Sequence, residues 1–188
     1  MKLKIADLRL YIGYEVVAAM AAVLLLDREN RVICCIAAAI LHESGHLLMM
    51  RLSGVRARAV TLRIFDVLIE AERPPGMRAD VWITLGGVLM NLLCAALFLP
   101  VCLRLAAANL ALGAFNLLPV ISLDGGHLYY LLLSRRFLPK TCAVVVRLTT
   151  FALLVPLFTA GLLMLFRSGY NYSLLAISLY LLAVLMFR

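Results

Sequence analysis

The segment Leu41-His42-Glu43-Ser44-Gly45-His46-Leu47 places two imidazoles and a carboxylate inside an apolar run from about residue 32 to residue 50. A run of this length can cross a bilayer as a helix. On a helix, His42 and His46 lie one turn apart on the same face, so both can bind one cation while Glu43 beside them activates water. The pattern predicts zinc-dependent hydrolysis within a membrane. The alternative is that both histidines are hydrogen-bonded core residues.

Composition supports a membrane protein and argues against other classes. The 188 residues are 65% hydrophobic and 15% charged, with a mean hydropathy of +1.03, which is too apolar for a soluble domain. The net charge of +8 does not indicate nucleic-acid binding, because the basic residues lie between apolar runs without interleaved aromatic residues. The five cysteines lack the spacing of a disulfide framework, although Cys35 could add a ligand on the face of His42.

The apolar runs predict an all-α polytopic membrane protein with six transmembrane helices in one intramembrane domain, 1–188, and no soluble regulatory domain. The predicted spans are about 11–26, 32–50, 81–103, 105–133 (broken near 119–126), 141–166 and 172–187. Residues 51–80 contain six arginines and a partly alternating, β-branched stretch. A small β element and an amphipathic connector are equally compatible with this stretch.

The fourth span contains the second group of candidate site residues. Pro119 and the pair Gly125-Gly126 argue against an uninterrupted helix, and irregular backbone survives at membrane depth only beside protein or a watery cavity. A catalytic zinc takes three protein ligands, and Asp124 is the best-placed third donor, unless it caps the broken helix. His127 could bind the metal directly or support one of its ligands.

Three further positions have packing and chemical interpretations. Gly86 and Gly87 allow close backbone approach, for which helix packing is favoured over chemistry. The amide of Asn91 needs a hydrogen-bonding partner within its span. Asn116 can either bind an extended peptide backbone or pack between helices.

The distribution of basic residues predicts the orientation of the spans. With both termini in the cytoplasm and a retained first span, the inner segments hold most of the 18 lysines and arginines. The second and fourth spans then both run from outside to inside. His42, His46 and Asp124 consequently come to similar depths near the cytoplasmic face.

Three segments together resemble one family, the site-2 proteases, which are intramembrane zinc metalloproteases. These segments are 42–46, 86–91 (Gly-Gly-Val-Leu-Met-Asn) and 115–127 (Phe-Asn-Leu-Leu-Pro-Val-Ile-Ser-Leu-Asp-Gly-Gly-His). The chain is most similar to the six-span branch that processes a sporulation sigma-factor precursor. Val88 and Ile121-Ser122 depart from the family pattern, which commonly has proline near these positions.

The resemblance implies one zinc ion held by His42, His46 and Asp124, with Glu43 as general base and Asn116 contacting the substrate. It implies cleavage of membrane-embedded proteins near the cytoplasmic face of a bacterial inner or cell membrane. Substrates would include transcription-factor precursors or anti-sigma factors, and a regulatory membrane partner is compatible with this class. The alternative is a non-catalytic relative that binds membrane proteins, which a zinc-free chain would favour.

Overall fold

The computed structural model describes residues 2–5, 8–27, 31–62, 67–72, 76–169 and 172–187. These residues are mostly helical, with one small sheet, and the chain divides into two compact units, Met1–Ala114 and Phe115–Arg188. The first unit contains the sheet, the histidine motif and the helix that packs against it. The second unit contains the segment around Asp124.

The first unit has a four-stranded sheet in the order β1 (Lys2–Ile5), β2 (Leu8–Ile12), β3 (Ala57–Leu62) and β4 (Val67–Ala71). The outer pairs are antiparallel, whereas β2 and β3 are parallel, with Tyr11 opposite Thr61. The β interpretation of the stretch after the second span is therefore right. The amphipathic-connector interpretation is wrong there, because β3 pairs with strands on both sides.

The beginning of the first predicted span is wrong. Residues 8–12 form β2, and the helix α1 (Tyr14–Leu26) has only 13 residues. The apolar residues at 11 and 12 continue the hydrophobic run in sequence, but their backbone pairs with β3, about fifty residues away. Local hydropathy does not show that a segment pairs with a strand so far away in sequence. The end of β2 and the helix α1 therefore look like one continuous apolar span in the sequence.

The motif-bearing helix α2 (Arg31–Leu52) has well-defined ends. The Asp27 carboxylate accepts hydrogen bonds from the backbone N–H groups of Arg31 at 3.2 Å and Val32 at 2.7 Å, which satisfies donors left free at a helix start. The helix ends at Leu52, and Gly54 beyond it has a left-handed φ of 70°. The Val55 N–H then donates to the Met50 carbonyl at 2.9 Å, closing the last turn.

The other helices of the first unit are α3 (Met77–Phe98) and α4 (Leu103–Asn116), of which α4 belongs to this unit up to Ala114. The predicted third span, 81–103, is shifted by about four residues, because α3 starts after the N-cap Gly76 and ends before a turn at 99–102. The helix α3 packs along α2 and carries Gly86, Gly87 and Asn91 on its buried side.

The second unit begins with the non-helical segment 117–123 and continues with α5 (Asp124–Leu133), α6 (Pro139–Ser168) and α7 (Ser173–Phe187). Its core contains Val120, Leu154, Leu181 and Leu185. The 117–123 segment is held against α6 by a hydrogen bond from the Ile121 N–H to the Thr150 hydroxyl at 3.0 Å. The break in the fourth predicted span is thus an ordered segment.

Three helices among the described residues are long and apolar enough to cross a membrane: α2, α3 and α6. A shorter apolar helix spans Leu174–Ala183. The chain is accordingly a membrane protein. The six-span count stays a prediction, because α1, α4 and α5 have only 10 to 14 residues each.

Candidate metal centre

The candidate centre is built where α2 and α3 cross at very short distance. A methyl group on Gly45 would overlap the Gly86 carbonyl oxygen, and one on Gly86 would lie 2.6 Å from the Gly45 carbonyl oxygen. Only glycine fits at both positions, so the two backbones touch directly. This close crossing brings the imidazoles of α2 against the backbone of α3.

His42 and His46 face each other across one turn of α2. Their Nε2 atoms are 3.1 Å apart, and their rings are almost perpendicular, at 87°. His42 is buried, with 5% of its surface exposed, and His46 is half-buried. The helical spacing of the motif therefore produces the convergence that the sequence predicts.

The other ring nitrogens are held by acceptors on α3, which assigns the tautomers. The Nδ1–H of His46 donates to the Ile83 carbonyl at 2.8 Å, and that of His42 donates to the Asn91 Oδ1 at 2.5 Å. A neutral imidazole with its proton on Nδ1 has a lone pair on Nε2. Both lone pairs then point into the same small space.

The histidine pair fits a zinc ion. Two nitrogens bound to one tetrahedral zinc at about 2.0–2.1 Å lie about 3.3–3.4 Å apart, close to the observed 3.1 Å. Two facing lone pairs repel each other without a cation between them, and anchored outer nitrogens are typical of metal-binding histidines. His42 and His46 are thus suited to hold a metal.

Gly87 forms the wall of this space on α3. A methyl group there would lie 2.5 Å from the His46 Nε2 and 2.7 Å from the His42 Cε1. The sequence favours packing over chemistry for both Gly86 and Gly87. Gly86 has that packing role, but Gly87 leaves room for the imidazoles themselves.

Two further residues of α2 were singled out from the sequence. Glu43 follows His42 directly and is half-buried. Cys35 is exposed, whereas His42 is buried. At 1.5 Å per residue, Cys35 lies about 10 Å along the helix from His42, which is too far to share one ion.

Asp124 is the first residue of α5 in the second unit and is half-buried. The N-cap is Leu123, so Asp124 lies one position inside the helix. Methyl groups on Gly125 and Gly126 would overlap the backbone at Leu117 and Val120, respectively. These two glycines therefore let the start of α5 pack tightly onto the preceding segment, which fixes the backbone that carries the carboxylate.

The remaining predicted residues also lie in the second unit. Asn116 is the last residue of α4 and is half-buried, and His127 is exposed one turn into α5. The sequence assigned no role to two groups of this hydrogen-bond network: the Ile83 carbonyl, which accepts from His46, and the Asn109 side chain, which accepts from Asn91. A backbone carbonyl cannot be identified from sequence, whereas an asparagine within an apolar helix is a visible signal.

Comparisons with known proteins find similarity to metalloproteases. Residues 100–157 match the sequence model of Peptidase family M50. The chain is 33% identical over 118 residues to a protein described as a zinc metalloprotease, Rip3, from two strains of Mycobacterium tuberculosis. That alignment covers 54% of this chain and 30% of the relative, so the chain spans less than a third of the length of these relatives.

The fold is similar to that of the site-2 protease from Methanocaldococcus jannaschii. The TM-score is 0.72 at 20% identity, covering 96% of this chain and 91% of the other. Part of the chain thus matches Peptidase family M50, and the fold is that of a site-2 protease.

The partial family match and the relative described as a zinc metalloprotease agree with the predicted enzyme class, a zinc metalloendopeptidase of the site-2 protease type, and with the predicted zinc cofactor. The closer placement in the sporulation branch stays a prediction.

Proposed function

We propose that the chain is a zinc-dependent intramembrane endopeptidase that hydrolyses peptide bonds of membrane-spanning substrates near the cytoplasmic face. The observation that carries this proposal is the 3.1 Å distance between the Nε2 atoms of His42 and His46 on an apolar helix long enough to cross a membrane. Glu43 follows His42 directly on this helix. Few membrane helices bury ionisable groups in this way without a functional reason.

His42, His46 and Asp124 are the proposed zinc ligands. Two imidazoles and a carboxylate form a common donor set for catalytic zinc, leaving one position open. Asp124 is supported as the third ligand by its half-buried position at the start of α5 and by the tight glycine contacts behind it. Its location at a helix start is also compatible with the capping role that the sequence left open.

Glu43 is the proposed general base. When bound, zinc polarises the scissile carbonyl and makes a nearby water molecule more acidic. The Glu43 carboxylate takes a proton from that water and delivers it to the departing amine. The proposed base is thus a half-buried carboxylate that follows the ligand His42 directly in sequence.

The substrate must be unwound before it is cut, because a membrane helix hides its peptide bonds in its own hydrogen-bond ladder. Asn116 at the end of α4 offers an amide that can hydrogen-bond an extended peptide, and the ordered segment 117–123 follows it. The site would open toward the cytoplasm, as the distribution of lysine and arginine indicates. His127, one turn after Asp124, would support this segment rather than the metal.

The substrate class is a membrane-embedded protein with a single span or a hairpin, such as a transcription-factor precursor or an anti-sigma factor. The family match and the relative described as a zinc metalloprotease support proteolysis, and the three apolar helices support a membrane substrate. Both termini would lie in the cytoplasm.

The experiment compares membrane-protein fragments from cells that express the wild-type chain, Glu43→Gln or Glu70→Gln. Glu70 is an exposed carboxylate on β4 and serves as the matched control. We expect Glu43→Gln to lower formation of specific fragments by about 100- to 10,000-fold, the range for loss of a general base. Zinc content should be retained in both variants, and Glu70→Gln should cleave normally.

Persistent cleavage in Glu43→Gln would remove Glu43 from the mechanism. A wild-type chain that binds no zinc and changes no fragment would favour the non-catalytic relative. Asp124→Asn completes the set, because loss of a metal-binding carboxylate should lower zinc affinity, whereas loss of a helix-capping charge should not.

A further inference from the structure

Asn109 on α4 is the most deeply buried polar residue connected to the histidine pair without contacting it. Its side chain is 0% exposed, as is that of Asn91 on α3. The Asn91 Nδ2 donates to the Asn109 Oδ1 at 2.9 Å, and the Asn109 Nδ2 donates to the Leu105 carbonyl at 2.9 Å. A series of hydrogen bonds therefore connects Asn109 on α4 to Asn91 on α3 and then to His42 on α2.

The direction of every hydrogen bond in this chain is fixed by a backbone carbonyl. The Leu105 carbonyl can only accept, so the Asn109 Nδ2 must face it and the Asn109 Oδ1 must face Asn91. The Ala38 carbonyl also accepts from the Asn91 Nδ2, at 3.1 Å. With both of its acceptors on one side, the Asn91 amide turns its oxygen toward His42.

The orientation of Asn91 determines which nitrogen of His42 has a lone pair for a metal. An amide oxygen facing Nδ1 requires the proton on Nδ1 and leaves the lone pair on Nε2. A reversed amide would place an N–H group against Nδ1 and favour the proton on Nε2, where the ion must bind. Because Asn91 and Asn109 are both 0% exposed, bulk water does not compensate for a wrongly oriented Asn91 amide.

We propose that Asn109 is a positioning residue for the metal centre: it acts through Asn91 to hold His42 in its metal-binding tautomer. This inference rests on the proposed function only in assigning His42 as a zinc ligand, and it concerns zinc affinity rather than proteolysis. Asn109 contributes one of the two acceptors that orient Asn91, and the other is the Ala38 carbonyl of the helix that carries the histidines.

Asn109→Leu and Asn109→Asp separate the polar role from packing. Leucine has a similar volume but no acceptor, so Asn91 loses half of its orienting partners. A buried, protonated aspartic acid keeps an acceptor for Asn91 and a donor for the Leu105 carbonyl, which reproduces the wild-type pattern. We expect Asn109→Leu to lower zinc affinity by about 10- to 100-fold, the usual effect of losing a partner behind a ligand. Asn109→Asp should stay within about threefold of the wild type.

Two measurements on the full-length protein in detergent micelles test this. The first is zinc affinity by chelator competition. The second is 15N NMR of metal-free protein with labelled histidine at about pH 8, where imidazoles are neutral. The chain has only 3 histidines, so single replacements assign the signals. Wild type and Asn109→Asp should show His42 protonated on Nδ1, and Asn109→Leu should show a substantial fraction protonated on Nε2.

Ala106→Gly is the control for loosened packing, since Ala106 is buried one turn before Asn109 on the same helix and has no polar side-chain atom. It should leave the tautomer and zinc affinity unchanged. If Asn109→Leu does not fold, Asn109→Ser replaces it, because a serine hydroxyl can bond the Leu105 carbonyl but is too short to reach Asn91.

Unchanged His42 tautomer and zinc affinity in Asn109→Leu or Asn109→Ser would overturn the proposal, as would an equal loss in Ala106→Gly. A shift of the His42 proton from Nδ1 to Nε2 when Asn109 is replaced supports the proposal even if no proteolysis is found. If the zinc-affinity and tautomer results are as expected but the protein shows no proteolysis, the proposed function is contradicted and the role of Asn109 is not.

Discussion

The residue with the greatest steric consequence for the histidine pair has no side chain. Gly87 lies where any Cβ atom would be 2.5 Å from the His46 Nε2, well inside van der Waals contact. The imidazoles fill the space that a side chain at this position would occupy. Their outer nitrogens are held by Asn91 and the Ile83 carbonyl, so the rings cannot move aside without breaking hydrogen bonds.

Gly87→Ala should therefore weaken zinc binding by about 10-fold or more while α3 remains helical, since alanine is the better helix former. Zinc affinity by chelator competition and helix content by circular dichroism are the measurements. Gly76→Ala is the control, because a methyl group on Gly76 would meet nothing within 4 Å. If Gly87→Ala binds zinc as tightly as the wild type, the imidazole rings can move away from the added methyl group, and the prediction is wrong.

At the scale of elements, the ordered break between α4 and α5 donates a hydrogen bond to one side chain of α6, Thr150. The Thr150 hydroxyl donates to the Val146 carbonyl of its own helix at 2.8 Å and accepts from the Ile121 N–H at 3.0 Å. An exposed N–H is costly inside an apolar protein, so this acceptor stabilises the non-helical segment that leads to Asp124.

Thr150→Val removes that acceptor with almost no change in shape. We expect a loss of about 1–3 kcal/mol in the free energy of unfolding, and faster hydrogen exchange at Ile121. Thr149→Val is the matched control, because the Thr149 hydroxyl bonds only the Val145 carbonyl of its own helix among the hydrogen bonds found for it. Equal effects of the two substitutions would mean that the Ile121 contact does not hold the segment.

At the scale of the whole molecule, the orientation in the membrane follows from where the positive charges lie. Residues 51–80 contain six arginines and would face the cytoplasm, whereas the α3–α4 connection has no basic residue, with Arg104 the second residue of α4, and would face outward. These two segments flank α3, one of the helices long enough to cross.

Single cysteines in a cysteine-free background test this orientation with a membrane-impermeant maleimide. Glu72→Cys should react only in inverted vesicles, and Val101→Cys only in intact cells, because both positions are exposed on opposite sides of α3 in sequence. A protein that retains only the buried Cys94 should react in neither preparation and reports on probe leakage. The reverse labelling pattern would invert the proposed topology and move the catalytic site to the outer face.

The sequence by itself determined what depends on local geometry and composition. Spacing of four residues on a helix is enough to bring His42 and His46 together, and length with apolarity is enough to mark α2, α3 and α6 as membrane helices. The sequence also located a break near Asp124 from proline and glycine, whose backbone preferences are local.

Only the tertiary structure decided the features that join distant segments. The β2–β3 pairing brings together backbone about fifty residues apart, and the Asn91–Asn109 hydrogen bond joins two helices. The role of Gly87 depends on which residues lie against it, here the imidazoles of His42 and His46, and the sequence does not show which residues these are. Such contacts are fixed by packing between elements, and neither hydropathy nor helical periodicity encodes which elements pack together.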